Sequence, residues 1–216
     1  KTKKLIGAFE CSSDIKTMVI PDSVVSIGYD AFYSCLSLTS LTIPSSVTSV
    51  GVDAFFDCPA LNFNEYQNIE YLGNDSNKYV IAVNANGNES TYTIRNQCRV
   101  LNSYIFKEKN LTSITIPDSV VFIGDSAFES CEQLTGIIVP NGVTSINDYV
   151  FAYCDELKSV ILPDSITSIG DYAFRNCYAL DSINIPDSVE SIGTDVFSGT
   201  NLTSIKIPNK VKKLSD

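Results

Sequence analysis

The 216-residue chain contains no histidine at all. That absence removes the commonest general base and the commonest metal ligand. Charge is also scarce. Only 19% of residues are charged, and 15 basic residues stand against 25 acidic ones, for a formal net charge of −10. A surface of that sign repels phosphate backbones and anionic lipid, so nucleic acid is not an expected partner. No run approaches the roughly 18 to 20 apolar residues that span a bilayer, so membrane insertion is not expected either. The N-terminus lacks a signal-peptide pattern, since Lys1–Lys4 lead straight into repeat sequence. The chain therefore reads as a mature segment, and any leader would precede it. The seven cysteines never form C-x₂-C, and no G-x-x-x-x-G-K-[ST] loop occurs. Neither metal nor any other cofactor is expected.

What is present is a hydrophobic fraction of 44%, ample for a core, arranged as a repeat. Pro21, Pro44, Pro117, Pro140, Pro163 and Pro186 anchor near-copies of one 23-residue phrase, and Pro208 follows Pro186 by 22. A degenerate copy lies between Pro44 and Pro117, with Arg95 at the anchor. Counting from the anchor as zero, +3 and +6 carry Val, Ile or Leu, with Cys98 at +3 of the degenerate copy. Position +7 is Gly28, Gly51, Gly124, Gly170 or Gly193, replaced by Asn102 and Asn147 in two copies. Gly and Asn take φ > 0 most readily, so a left-handed turn is predicted there. Position +11 is Phe throughout: Phe32, Phe55, Phe106, Phe128, Phe151, Phe174 and Phe197. The Asp just before it, as in Asp171-Tyr172-Ala173-Phe174, suits the cap of one short helical or 3₁₀ turn. Each unit closes on an Ile-Thr-Ile alternation ended by proline, the period-two pattern of a half-buried strand. A single unit cannot bury its own apolar row, so neighbours must stack.

The predicted fold is a leucine-rich-repeat type solenoid, with a parallel sheet of one strand per repeat and short helical or 3₁₀ turns. Residues 1–216 read as one domain, with repeats over 1–61 and 95–216 and an insertion over about 62–94. In the insertion Tyr79–Val83 and Thr91–Ile94 each alternate, with Asn86-Gly87 between them. That pattern predicts a β-hairpin or three-stranded flap.

The phrase from Leu111 to Cys131, Leu-Thr-Ser-Ile-Thr-Ile-Pro-Asp-Ser-Val-Val-Phe-Ile-Gly-Asp-Ser-Ala-Phe-Glu-Ser-Cys, resembles the BspA-like leucine-rich repeats. The insertion, with Tyr71-Leu72-Gly73-Asn74, looks like one that recurs in that family. The resemblance implies a secreted or cell-surface bacterial protein that adheres to host matrix proteins, to other microbes or to glycans. A structural spacer is the alternative it allows. It supplies no catalytic or ligand residues to carry over.

Cysteine is the residue most open to misreading. Cys35, Cys58, Cys131, Cys154 and Cys177 share register +14 and read as a ladder of buried free thiols, small hydrophobes in effect. Cys11, one position early, and Cys98 read as core as well. Serines recur at strand registers such as Ser113 and Ser159, which is turn and strand-face chemistry rather than a nucleophile. Paired carboxylates for glycoside chemistry stay open from sequence, but no enzyme is expected. Candidate partner-binding residues come from the outward strand register, occupied by Val19, Thr42, Thr115, Ile138, Ile161, Asn184 and Lys206, where the neighbouring Ile138 and Ile161 break the Thr pattern. Thr115 and Asn184 flank them, Tyr153 lies at the margin, and Gly136 beside Ile138 leaves the surface bare. Exposed apolar groups among polar ones mark an interaction face. A monomer is expected.

Overall fold

The computed structural model describes residues 8–212 and the backbone of Lys3–Leu5. The outermost residues of the expected 1–216 domain lie outside the described residues. The chain winds as a parallel β-solenoid of about 8 turns. Two ladders of short strands run its length. The predicted strand before the proline supplies β2 (Thr17–Val19), β4 (Ser40–Thr42), β9 (Thr91–Thr93), β11 (Ser113–Thr115), β13 (Gly136–Ile138) and β15 (Ser159–Ile161). A short extended piece after each proline turn builds a second ladder. It holds β1 (Lys3–Leu5), β3 (Val24–Ile27), β5 (Ser49–Val50), β10 (Val100–Leu101), β12 (Phe122–Ile123), β14 (Ser145–Ile146), β16 (Ser168–Ile169) and β17 (Ser191–Ile192). Pairing is parallel with a one-repeat offset, as in Ile146↔Ile169↔Ile192.

The expected helical turns are absent: no helix forms between +7 and +14. Each full-length coil instead has two left-handed residues four apart, at +9 and +13, such as Tyr149 (φ 57) with Tyr153 (φ 60) and Ser126 (φ 55) with Ser130 (φ 57). A helix would turn its N–H groups inward along its own axis. Here the N–H groups of +9, +11 and +13 donate to the carbonyls of +8, +10 and +12 in the next coil. Ser126, Phe128 and Ser130 thus reach Asp148, Val150 and Ala152 at 2.9, 3.0 and 2.8 Å. The aspartates do not cap either, since Asp148 Oδ1 accepts from Asp171 N of the next coil at 2.7 Å. We call this stretch the turn row.

The left-handed residue expected at +7 is corrected too. Among the described residues the positive-φ glycines are Gly87 and Gly199, neither of which is at +7. The +7 glycines are needed for close approach. A Cβ on Gly124 would lie 2.5 Å from Ser103 N and 2.8 Å from Asn102 C of the coil before it.

Between the ladders and the turn row lies the core. The +11 phenylalanines stack along the axis, with Phe106, Phe128, Phe151 and Phe174 fully buried and neighbouring centroids 5.3 to 5.5 Å apart. Phe197, in the last described coil, is half-buried. Each +14 thiol donates to the +11 carbonyl of the preceding coil, as Cys154 does to Phe128 O at 3.2 Å and Cys177 to Phe151 O at 3.1 Å. All seven cysteines are free and six are buried, but Cys11 is exposed. Its place one register early puts it at +13, a left-handed, outward position, so the core expectation fails for Cys11. Burial raises the thiols of Cys98, Cys131 and Cys177 to about 12.

The insertion pairs differently from expectation. Strands β6 (Asn64–Tyr66) and β7 (Ile69–Leu72) form a hairpin across Gln67-Asn68, both with φ > 0, as a two-residue turn requires. Strand β8 (Ile81–Ala85) runs antiparallel to β7 and parallel to β10, while β9 pairs with β11. Asn86-Gly87 therefore joins two different ladders and closes no hairpin. Nor does the insertion bulge outward. Ile69, Tyr71 and Ala82 pack into one core cluster, and Leu72, Ile81 and Val83 into the other. Arg95 replaces the anchor proline because the local contacts need both a donor and a cation. Its N–H donates to Tyr71 Oη at 3.3 Å, and its guanidinium sits 4.3 and 4.5 Å from the rings of Tyr66 and Tyr79.

Candidate binding face

In the strand before each proline the central residue points inward and its neighbours point out. Ile137 and Val160 are buried, while Ile138 and Ile161 are 64% and 54% exposed. The last position of each strand therefore stacks into an outward row down the solenoid. Ile138 and Ile161 pair directly, as do Gly136 and Ser159. Packing does not demand Gly136: a Cβ there would come no nearer than 3.4 Å, to Ser159 O. Its missing side chain leaves open surface beside the two isoleucines.

Thr115 ends the adjacent strand β11 and is exposed, but β11 and β13 share no ladder hydrogen bonds. Asn184 is exposed in the following coil, where no strand forms. Tyr153 belongs elsewhere. It occupies the turn row at φ 60, is 37% exposed, and donates its N–H to Arg175 O at 2.8 Å. The structure thus gathers Thr115, Ile138, Ile161 and Asn184 on one strand face and sets Tyr153 apart. The face is poor in charge. Lys158, next to β15, pairs with Glu156 at 3.6 Å, and Lys206 of the outward row pairs with Asp187 at 3.2 Å, with all four side chains more than half exposed.

Sequence reading missed the aromatics of the turn row. Tyr29 and Phe56 are each 57% exposed and Tyr104 is 43% exposed, and Tyr178, one position past the row, is 57% exposed. Tyr33 stacks on Phe56 at 5.4 Å, and Tyr149 on Tyr172 at 4.7 Å. Two left-handed residues per coil turn +8, +12 and neighbouring side chains outward. An aromatic outside the +11 column was the available signal. Among the described residues no group of His, Cys, Asp and Glu is placed to hold a metal ion, and no helix is long and apolar enough to cross a membrane.

The description "BspA type Leucine rich repeat region" matches residues 6–98 and 99–216 in six copies. Among curated proteins nothing matches the chain. A leucine rich cell surface protein from Faecalibacterium prausnitzii is 30% identical, with a TM-score of 0.63 over 93% of this chain and 62% of that one. A leucine-rich repeat protein from Bacteroides ovatus is 28% identical, with a TM-score of 0.54 over 95% of this chain and 46% of that one. The chain thus spans less than two thirds of either protein. The pneumococcal vaccine antigen PcpA, 20% identical with a TM-score of 0.56 over 92% of this chain and 62% of that one, shares the fold.

Proposed function

The chain belongs to the BspA type leucine-rich repeat family, and from that premise we propose that it is a non-catalytic adhesion module of a secreted or cell-surface bacterial protein. The observation that carries this reading is the in-register pair Ile138 and Ile161, both exposed, with polar Thr115 and Asn184 at the same position of the coils on either side. Two aliphatic side chains ringed by polar ones form the kind of centre that dominates a shallow protein interface. The preferred ligand is a protein rather than a glycan. Sugars stack on flat aromatic rings, and this patch offers branched aliphatic groups. Thr115 and Asn184 supply hydrogen-bonding flanks, and Tyr153 contributes only if a partner wraps on to the turn row. The reading takes residues 1–216 as one domain acting as a monomer, supported by an insertion whose two faces each pack into a core cluster.

The test is a binding screen of the purified chain against matrix proteins and glycans, repeated with the Ile138→Asp/Ile161→Asp double variant. The variant should lose binding to the protein found while keeping its circular dichroism spectrum and melting temperature. Affinity should change little with salt, because charge plays little part. Binding that persists in the folded double variant would move the site elsewhere. A glycan ligand would overturn the choice of partner, and no ligand at all would favour a spacer role.

A further inference from the structure

The turn row is broken once, and the break leaves an ordered set of unused backbone groups. Five residues connect β8 to β9, whereas eleven connect β10 to β11 in an ordinary coil. The missing length is the turn row itself. Strand β8 continues the ladder towards β10, and β9 continues the other towards β11, but between them nothing crosses the turn-row face. In the preceding coil, the carbonyls of Val52, Ala54 and Phe56 accept from Asp30, Phe32 and Ser34 in the usual way. The N–H groups of that coil's Asp53, Phe55 and Asp57, which should donate onward, have no acceptor among the described residues. Across the gap, Tyr104, Phe106 and Glu108 donate forward to Asp125, Ala127 and Glu129. The carbonyls that should receive, those of Ser103, Ile105 and Lys107, have no donor among the described residues.

Three donors thus face three acceptors, each set at alternate residues. The cleft between them has a volume of about 500 Å³ and is lined from both walls and by Val83, Asn84 and Ala85. Adjacent coils stack at roughly 4.8 Å, so skipping one leaves on the order of 10 Å between walls, the room taken by one main chain. Two residues that line this cleft also carry buried polar atoms without a partner. Ser103 is 5% exposed and its Oγ has no partner, and Asn102 Oδ1 is buried without one. Buried polar groups are nearly always paired, so a cluster of unpaired ones points to a ligand. Phe56 and Tyr104 stand exposed at the cleft, one from each wall.

We propose that this cleft binds a short peptide segment of a partner protein by main-chain pairing. The segment's alternate carbonyls accept from Asp53, Phe55 and Asp57, and its alternate N–H groups donate to Ser103, Ile105 and Lys107. It thereby supplies the turn row that the short coil lacks, in the manner of a strand added to an open sheet edge. The inward residues of the segment must be small. The place beside Phe106 that a further phenylalanine would take is filled by Tyr92, centroids 5.2 Å apart, and Val83 and Ala85 are buried against the cleft. The outward residues can be large, because Phe56 and Tyr104 offer rings to them. A peptide fits better than a sugar because the groups presented alternate as a backbone's do. This site is separate from the strand face and does not depend on it.

The test starts with amide hydrogen exchange on the isotope-labelled chain. Asp53, Phe55 and Asp57 should exchange at least tenfold faster than their counterparts Ser126, Phe128 and Ser130. A phage-displayed library of random linear decapeptides is then panned against the chain. A synthetic copy of an enriched peptide should slow those three amides at least tenfold. N-methylation at alternate peptide positions should weaken binding at least tenfold, and methylation at the intervening positions should not. Phe56→Ser/Tyr104→Ser, checked for fold by circular dichroism, should lose the peptide. Amides already protected in the free chain, enriched peptides that leave them unchanged, or a glycan that protects them in a peptide's place would each overturn the proposal.

Discussion

One position carries its own natural experiment. Where +7 is glycine, its N–H donates to the +6 carbonyl of the coil before, as from Gly51 to Ile27 O at 2.9 Å, Gly170 to Ile146 O at 2.7 Å and Gly193 to Ile169 O at 2.9 Å. Where Asn147 stands instead, the side-chain Nδ2 donates to Ile123 O at 2.7 Å, and β12 and β14 are not joined in one sheet. At this coil the Asn147 amide replaces the backbone bond of the glycine coils, whereas Asn102, next to β8, keeps it, its N–H donating to Ala82 O at 2.9 Å. Gly170→Ala would add the Cβ without the amide, 2.8 Å from Asn147 C and Asp148 N, where ordinary contact begins at 3.4 Å. Both atoms are backbone, so a coil must move. Overpacking of this kind costs about 1 to 3 kcal/mol, and the lost hydrogen bond adds about 0.5 to 1.5 kcal/mol. The stiffer unfolded chain returns about 0.4 to 1 kcal/mol. The net expectation is a loss of about 2 to 3 kcal/mol, with Gly170→Asn losing roughly half as much because its amide restores the bond. Conversely, Asn147→Gly should join β12 to β14 and raise stability. Urea unfolding followed by far-ultraviolet circular dichroism measures all three. A Gly170→Ala variant as stable as the parent, or a Gly170→Asn variant worse than it, would refute the close-approach account.

Phe128→Ala should cost about 3 to 5 kcal/mol, because a fully buried ring with two stacking neighbours is removed, while Phe197→Ala, half-buried with one neighbour, should cost clearly less in the same unfolding assay. Brief alkylation of the folded protein followed by mass spectrometry should label Cys11 and spare Cys131, Cys154 and Cys177, since burial blocks access and raises their thiols. Burial and the nearby charge of Asp148 hold the Asp125 carboxyl up at about 6 against an ordinary 3.8, so its contribution to stability is complete below pH 3.8 and fades as pH rises through 6. Asp125→Asn should therefore gain on the parent in urea midpoints at pH 7.5 and not at pH 3.5, and an equal shift at both would discount the buried carboxyl.

The sequence by itself determined the solenoid, the phenylalanine column and the thiol ladder. All three follow from which registers are apolar, and a 23-residue period leaves one way to bury those registers together. The outward strand row was legible for the same reason, since Ile138 and Ile161 fall at the outward phase of a period-two strand. The path of the turn row was not legible. Tyr104, Glu108, Tyr149, Tyr153 and Tyr172 all have φ between 57 and 64, a region that costs a non-glycine residue about 1 kcal/mol or more. Local preference argues against each of them, and the hydrogen bond each N–H makes to the next coil outweighs it. That bond exists only once the neighbour is stacked. The second ladder and the parallel partner of β8 were hidden for the same reason, because two-residue strands have no pattern of their own. The cleft at the short coil is the extreme case. It is made of backbone donors and acceptors that any residue carries, so side-chain identity could not announce it, and only the stacking of whole coils left them without partners.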